Sequence, residues 1–210
     1  AELGVSPEEV LIGWVGRLDP KKRVGDFIQA CAHVAAERPN ARFVVIGGPD
    51  AFFPEYADGL RAQAAALGLE GRLTFTGDRK DVPRLLSALD VFVWLSRGEG
   101  MPHVIAEAGA AGLPVVATRD GGTPQQIRDG VSGLFVPHER PGAVAEAVRF
   151  LVDHPDVRAR FGEALRAHVR RRYGAEVVVP QWERLFRRLA ARELRPAPAL
   201  ELAAGPRTQL

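Results

Sequence analysis

Short apolar runs alternate along the chain with longer amphipathic stretches, and this alternation predicts its elements. Runs of strand length, rich in Val, Ile and aromatic residues, fall at Val10–Gly16, Arg42–Gly47, Leu73–Thr76, Val91–Leu95, Val115–Ala117 and Gly133–Val136. Between and after them, helical spacing of apolar positions predicts helices over Val24–Arg38, Glu55–Leu67, Val82–Ala88, His103–Ala111, Thr123–Asp129 and Pro141–Asp153. Strand and helix in regular succession argue for a parallel sheet covered on both faces. The expected fold class is α/β: a Rossmann-like, doubly wound parallel sheet of six strands in the order 3-2-1-4-5-6, with right-handed crossovers. Beyond Asp153 the strand signal stops. Pro155–Tyr173 and Ala175–Leu194 read as two further helices, and the Pro-containing stretch from Arg195 to Leu210 reads as a disordered tail.

Glycines punctuate this pattern. Gly16, Gly47-Gly48, Gly77, Gly98, Gly100 and Gly121-Gly122 all follow predicted strands. They therefore gather at one edge of the sheet, where ligands bind in open α/β folds.

The densest chemistry sits at that edge, in the run from Ser96 to Ala108. Glu99 lies at the mouth of the strand ending near Leu95, and Glu107 lies about one turn inside the helix that opens at His103. Unpaired amides over Gly100–His103 would favour an anion, and His103 could donate to a phosphate. A carboxylate deeper in the cleft would repel phosphate but accept hydrogen bonds from hydroxyls. Glu99 or Glu107 therefore suits a ribose diol or a hexose. After the first strand, Arg17 and Lys22 offer a planar guanidinium and a flexible ammonium, a sensible clamp for a diphosphate. An ordinary basic turn fits that pair equally well.

Composition narrows the classes. The chain has 210 residues, 26% charged and 46% hydrophobic, with a formal net charge of +2, which suits one soluble domain with a sizeable core. The near balance of charge argues against a nucleic-acid binder. The basic cluster from Arg166 to Arg172 reads as a solvated helix face. The single cysteine, Cys31, falls on an apolar helical stripe and permits no internal disulfide. No apolar run reaches membrane-spanning length. The residues Ala1-Glu2-Leu3-Gly4 have neither the basic region nor the apolar core of a leader. A reducing cytoplasmic setting is expected. The five histidines are scattered without a cysteine pair, so no metal site is expected.

The order of several short motifs adds a resemblance. These are Gly16-Arg17-Leu18 with Lys22, Gly47-Gly48-Pro49, Phe75-Thr76-Gly77, the Glu99/Glu107 pair, Gly112-Leu113-Pro114-Val115-Val116-Ala117-Thr118, Gly121-Gly122, and Gly130 to Val136. Together they resemble the C-terminal domain of glycosyltransferase family 4, the group 1 retaining enzymes of GT-B fold, over roughly Leu3 to Leu189. The resemblance implies a nucleotide-sugar-binding domain over residues 1–194, with a UDP-, GDP- or ADP-sugar as donor substrate and no metal. It implies that Arg17 and Lys22 hold the diphosphate and stabilise it as leaving group. Glu107 would bind the ribose and Glu99 would face the transferred sugar, with Arg17, Lys22 and Glu99 forming the catalytic set. Amides over Gly100, Met101, Pro102, His103 and Val104 would contact phosphate or sugar, and the turn carrying Gly77 and Arg79 would meet the base. Three positions depart from the family pattern: Pro102 and Arg23 stand where glycine is frequent, and Gln125 stands where glutamate is common. The resemblance also implies a partner, an N-terminal acceptor-binding domain of the same enzyme that this chain lacks, through which a peripheral membrane contact would be made. A nucleotide-sugar 2-epimerase and a non-catalytic nucleotide-binding module are the rival readings.

Overall fold

The computed structural model describes residues 3–191. The tail expected over 195–210 lies outside them, as does the end of the helix expected to reach Leu194.

Six parallel strands form one sheet: β1 (Val10–Val15), β2 (Ala41–Ile46), β3 (Leu73–Phe75), β4 (Val91–Trp94), β5 (Val115–Thr118) and β6 (Gly133–Val136), in the order β3-β2-β1-β4-β5-β6. That is the expected order. Every residue of β1, β4 and β5 is buried, which is why these runs are continuously apolar rather than alternating.

The helices are α1 (Val24–Glu37), α2 (Tyr56–Ala66), α3 (Val82–Leu86), α4 (His103–Ala111), α5 (Thr123–Gln126), α6 (Pro141–Asp153) and α7 (Pro155–Tyr173). The sheet winds outward from β1 to β3 in one direction and from β4 to β6 in the other. Right-handed crossovers then place α1 and α2 on one face and α4 and α5 on the opposite one. The packing agrees: α1 meets α2 and α6, whereas α4 meets α3 and α5. α1 buries Val24, Phe27, Ile28, Ala30, Cys31 and Val34, the stripe read from the sequence. Burial pushes the Cys31 thiol well above its ordinary range, as befits a packing residue.

One helix is shorter than the pattern predicts. α5 stops at Gln126, and Ile127 turns extended at φ −113°, ψ 137°. The chain is needed elsewhere: Asp129 accepts from the Phe135 amide of β6 at 3.0 Å, and Ser132 Oγ accepts from the Arg128 amide at 2.9 Å. Those contacts to the next strand prevail over helix propensity.

The basic cluster on α7 is not wholly a solvated face. Arg166 donates to the Ala111 carbonyl at 2.9 Å, satisfying an orphan acceptor at the C-terminus of α4. Close packing there depends on Gly162, whose missing side chain leaves room for the Gly112 carbonyl.

Among the described residues, those up to Arg171 form one compact unit, and those from Arg172 form a second. In the second, α8 (Ala175–Ala190) buries none of its residues. Trp182 and Phe186 stack at 5.6 Å between ring centroids and are 54% and 59% exposed. No helix among the described residues is long and apolar enough to cross a membrane.

Candidate functional site

At the C-terminal edge of the sheet, β1 ends in Gly16 and Arg17. The chain then makes a short 3-10 turn at Pro20–Lys22, capped by Asp19, whose carboxylate accepts from the Lys21 amide at 2.8 Å. Arg23 follows in the left-handed region at φ 56°, ψ 38°. That conformation favours glycine, which accounts for glycine's frequency at this position in the family the sequence resembles. Here a fork of hydrogen bonds from Arg23 to Asp26, at 2.8 and 3.0 Å, ties the side chain down.

The exit of β4 is stitched onto this turn. The Arg97 amide donates to the Lys21 carbonyl at 3.0 Å, and Ser96 Oγ lies 3.3 Å from the same carbonyl. The result brings together two side chains distant in sequence: Lys22 Nζ donates to Glu99 Oε1. Lys22 also lies over the Trp94 ring, 5.1 Å from its centroid, a cation–π contact that steadies the ammonium. Its side chain is only 14% exposed. Glu99 additionally accepts from Ser96 Oγ at 3.0 Å. Burial alone would raise the Glu99 carboxyl. The hydrogen bonds from Lys22 and Ser96 and the charges of Lys22 and Arg17 outweigh it and hold the carboxyl below its usual range.

The Glu99 loop is fixed from its other side by the turn after β5. Asp120 accepts from the Gly98 amide at 2.7 Å, and the Gly122 amide donates to the Glu99 carbonyl at 3.3 Å. A side chain at Gly121 would sit 1.6 Å from that carbonyl oxygen, so the Gly121-Gly122 pair is what lets the two loops touch.

α4 opens immediately after Pro102 with no side chain capping its amides. Pro102 is buried, and its carbonyl accepts from Gln126 Nε2 at 3.1 Å. His103 and Glu107, on this helix, are exposed.

These parts line one cavity of about 460 Å³. Of the residues singled out from the sequence, Arg17, Lys22, Glu99, Met101, Pro102, His103, Val104 and Glu107 lie on its wall. Gly77, Arg79 and Gly100 do not. The segment after β3 reaches the cavity instead at the start of α3, through Val82 and Pro83, while Arg79 is engaged with Asp81 at 2.8 and 2.9 Å. Two contributors escaped the sequence reading. Trp94 fell within a run read as buried strand, and Gln126 fell within the expected helix Thr123–Asp129 without being singled out. Neither has a sequence signal, because each acts through a neighbour distant in sequence. Among the described residues no cluster of His, Cys, Asp and Glu could hold a metal.

The cavity thus gathers two cations, two carboxylates and an uncapped helix N-terminus, groups able to meet a ligand that is both anionic and hydroxylated. The profile of the glycosyl transferases group 1 family matches residues 1–168. The chain belongs to that family. As a group 1 glycosyl transferase domain it is 39% identical, over 136 residues, to the D-inositol 3-phosphate glycosyltransferase of Mycobacterium marinum, an alignment covering 64% of this chain and 28% of that protein. Its fold superimposes on Anabaena Alr3699/HepE, solved in complex with UDP and glucose, with TM-score 0.83 and 27% identity, covering 89% of this chain and 50% of that one. It also matches the C-terminal domain of the group 1 protein LpcC from Francisella tularensis, with TM-score 0.73 and 26% identity, over 80% of this chain and 87% of that one. The group 1 domain described here therefore corresponds to one half of a GT-B fold, and it spans well under half of the M. marinum relative's length.

Proposed function

We propose that this domain is the donor half of a retaining, family 4 glycosyltransferase and binds a nucleoside diphosphate sugar. The observation that carries the reading is the convergence of Arg17 and Lys22 with the α4 N-terminus on one cavity wall that also holds Glu99 and Glu107. Cations and amide dipoles at the diphosphate would stabilise the charge that develops as it leaves, so the reading requires no divalent metal. Lys22 is paired with Glu99. When donor enters, the ammonium has a second anion to serve, and Glu99, already ionised, turns part of its accepting capacity to the sugar hydroxyls. Glu107, one helical turn on from His103, would meet the ribose. The uridine nucleotide is the favoured donor, since a solved relative carries UDP and glucose.

On this reading residues 1–194 form the donor domain of a cytoplasmic enzyme. The acceptor would be held by a partner domain on the far side of the cleft, which would also make any peripheral membrane contact. The test is calorimetric titration of the chain with UDP, GDP and ADP in EDTA. At least one should bind, and at about 100 times its Kd it should stabilise the fold by about 2.7 kcal/mol. Absence of heat with all three would overturn the reading, and binding only after a divalent metal is restored would overturn its metal independence.

A further inference from the structure

Arg17 has a partner that no motif in its own segment announces. Asp50, just beyond β2, is 3% exposed, and its Oδ2 accepts from Arg17 Nη1 at 2.6 Å. Its other oxygen accepts from the Phe52 amide at 2.9 Å, so the carboxylate cannot swing away. The two loops that carry the pair are themselves locked. The Leu18 amide donates to the Gly48 carbonyl at 2.9 Å, and the position of a Gly47 side chain is taken by the Gly16 carbonyl.

A buried carboxylate is costly unless paired, so Asp50 has its place because Arg17 faces it. Arg17, by contrast, is 69% exposed, and a guanidinium so open to water would otherwise sample many rotamers. Only one of its two terminal nitrogens is engaged with Asp50. Arginine presents five donors in a fixed fork, so the remaining edge can meet a second anion without releasing the first.

We propose that Asp50 is a positioning residue for the donor diphosphate: it anchors one edge of the Arg17 guanidinium so that the other edge is presented to phosphate. The proposal rests on the donor-site reading above, and the experiment separates the two. The chain and its Asp50→Asn, Arg17→Ala and doubly substituted variants are titrated with UDP, GDP and ADP. Asparagine keeps an oxygen for the Phe52 amide and loses the charge that grips Arg17. Asp50→Asn should weaken binding by about three- to tenfold, a modest loss because the pair is partly solvated. In the Arg17→Ala background the same change should have no further effect, since the two act as one unit. A loss that recurs undiminished in that background would mean a structural role and overturn the proposal. So would unchanged or tighter binding by Asp50→Asn, the latter marking Asp50 as a competitor of phosphate. If Asp50→Asn does not fold, Arg17→Lys decides the matter, because lysine keeps the charge but not the fork. Binding as tight as that of the unaltered chain would then overturn the proposal. Should the unaltered chain bind none of the three nucleotides, the donor-site reading fails and this inference fails with it.

Discussion

Two glutamates with the same charge stand in different surroundings at the cavity. Glu99 is committed to Lys22 and Ser96 and is held ionised by them. Glu107 stands exposed on α4 at the cavity wall. Removing the charge at Glu99 therefore frees an ammonium as well as deleting the proposed sugar contact, whereas truncating Glu107 deletes only the proposed ribose contact. Glu99→Gln should leave UDP binding intact or slightly tighter and abolish most of the extra affinity that the sugar of UDP-glucose confers. Glu107→Ala should weaken UDP and UDP-glucose alike, by roughly the 0.5–1.5 kcal/mol of an ordinary hydrogen bond. Equal losses for both ligands in both variants, measured by calorimetry, would refute this division. The spacing of the pair was visible in the sequence. The Lys22 contact that distinguishes them was not, since it joins side chains 77 residues apart.

At the scale of elements, the site is held by loops that touch one another rather than by any one strand or helix. The Gly121-Gly122 turn and the Glu99 loop meet so closely that a methyl group at Gly121, which also has φ 52°, would strike the Glu99 carbonyl. Gly121→Ala should lower stability by at least about 1 kcal/mol, from left-handed strain alone. It should also weaken nucleotide binding by shifting Glu99. Gly142, in the first turn of α6 with nothing within 4 Å of an added side chain, is the control. Gly142→Ala should stabilise by about 0.5–1 kcal/mol and leave binding unchanged. Thermal unfolding and calorimetry on both variants check this. If Gly121→Ala behaves like Gly142→Ala, the loop contact does not hold the site. Repeated glycines after strands did announce the edge of the sheet. Which glycine abuts which carbonyl depends on crossing geometry that no local pattern encodes.

For the whole molecule, the proposed reading makes this cavity one wall of a cleft. Transfer needs donor and acceptor held in a single geometry, and here the proposed donor groups face open solvent. The chain alone should bind nucleotide yet transfer no sugar from UDP-glucose, while a polypeptide extended by an acceptor-binding domain should do so. Radiolabelled donor with cell-extract acceptors provides the measurement. Robust transfer by this chain would show that a single domain suffices. The exposed aromatic face of α8 belongs to the same scale. Its helical spacing was evident from the sequence, and Trp182 and Phe186 remain uncovered in the structure.

The succession of apolar runs and amphipathic stretches by itself indicated the six strands and most of their helices, because element type follows from how apolar positions run or recur along the chain, and the sheet order was expected from that α/β pattern. It likewise placed Arg17, Lys22, Glu99 and Glu107 at one edge, since each follows a strand or opens a helix. Only the tertiary structure decided how those groups are paired. Arg17 with Asp50, Lys22 with Glu99 over Trp94, and Pro102 with Gln126 are contacts between separate loops. Their distances are set by how neighbouring strands bring those loops together, and no single segment carries that information.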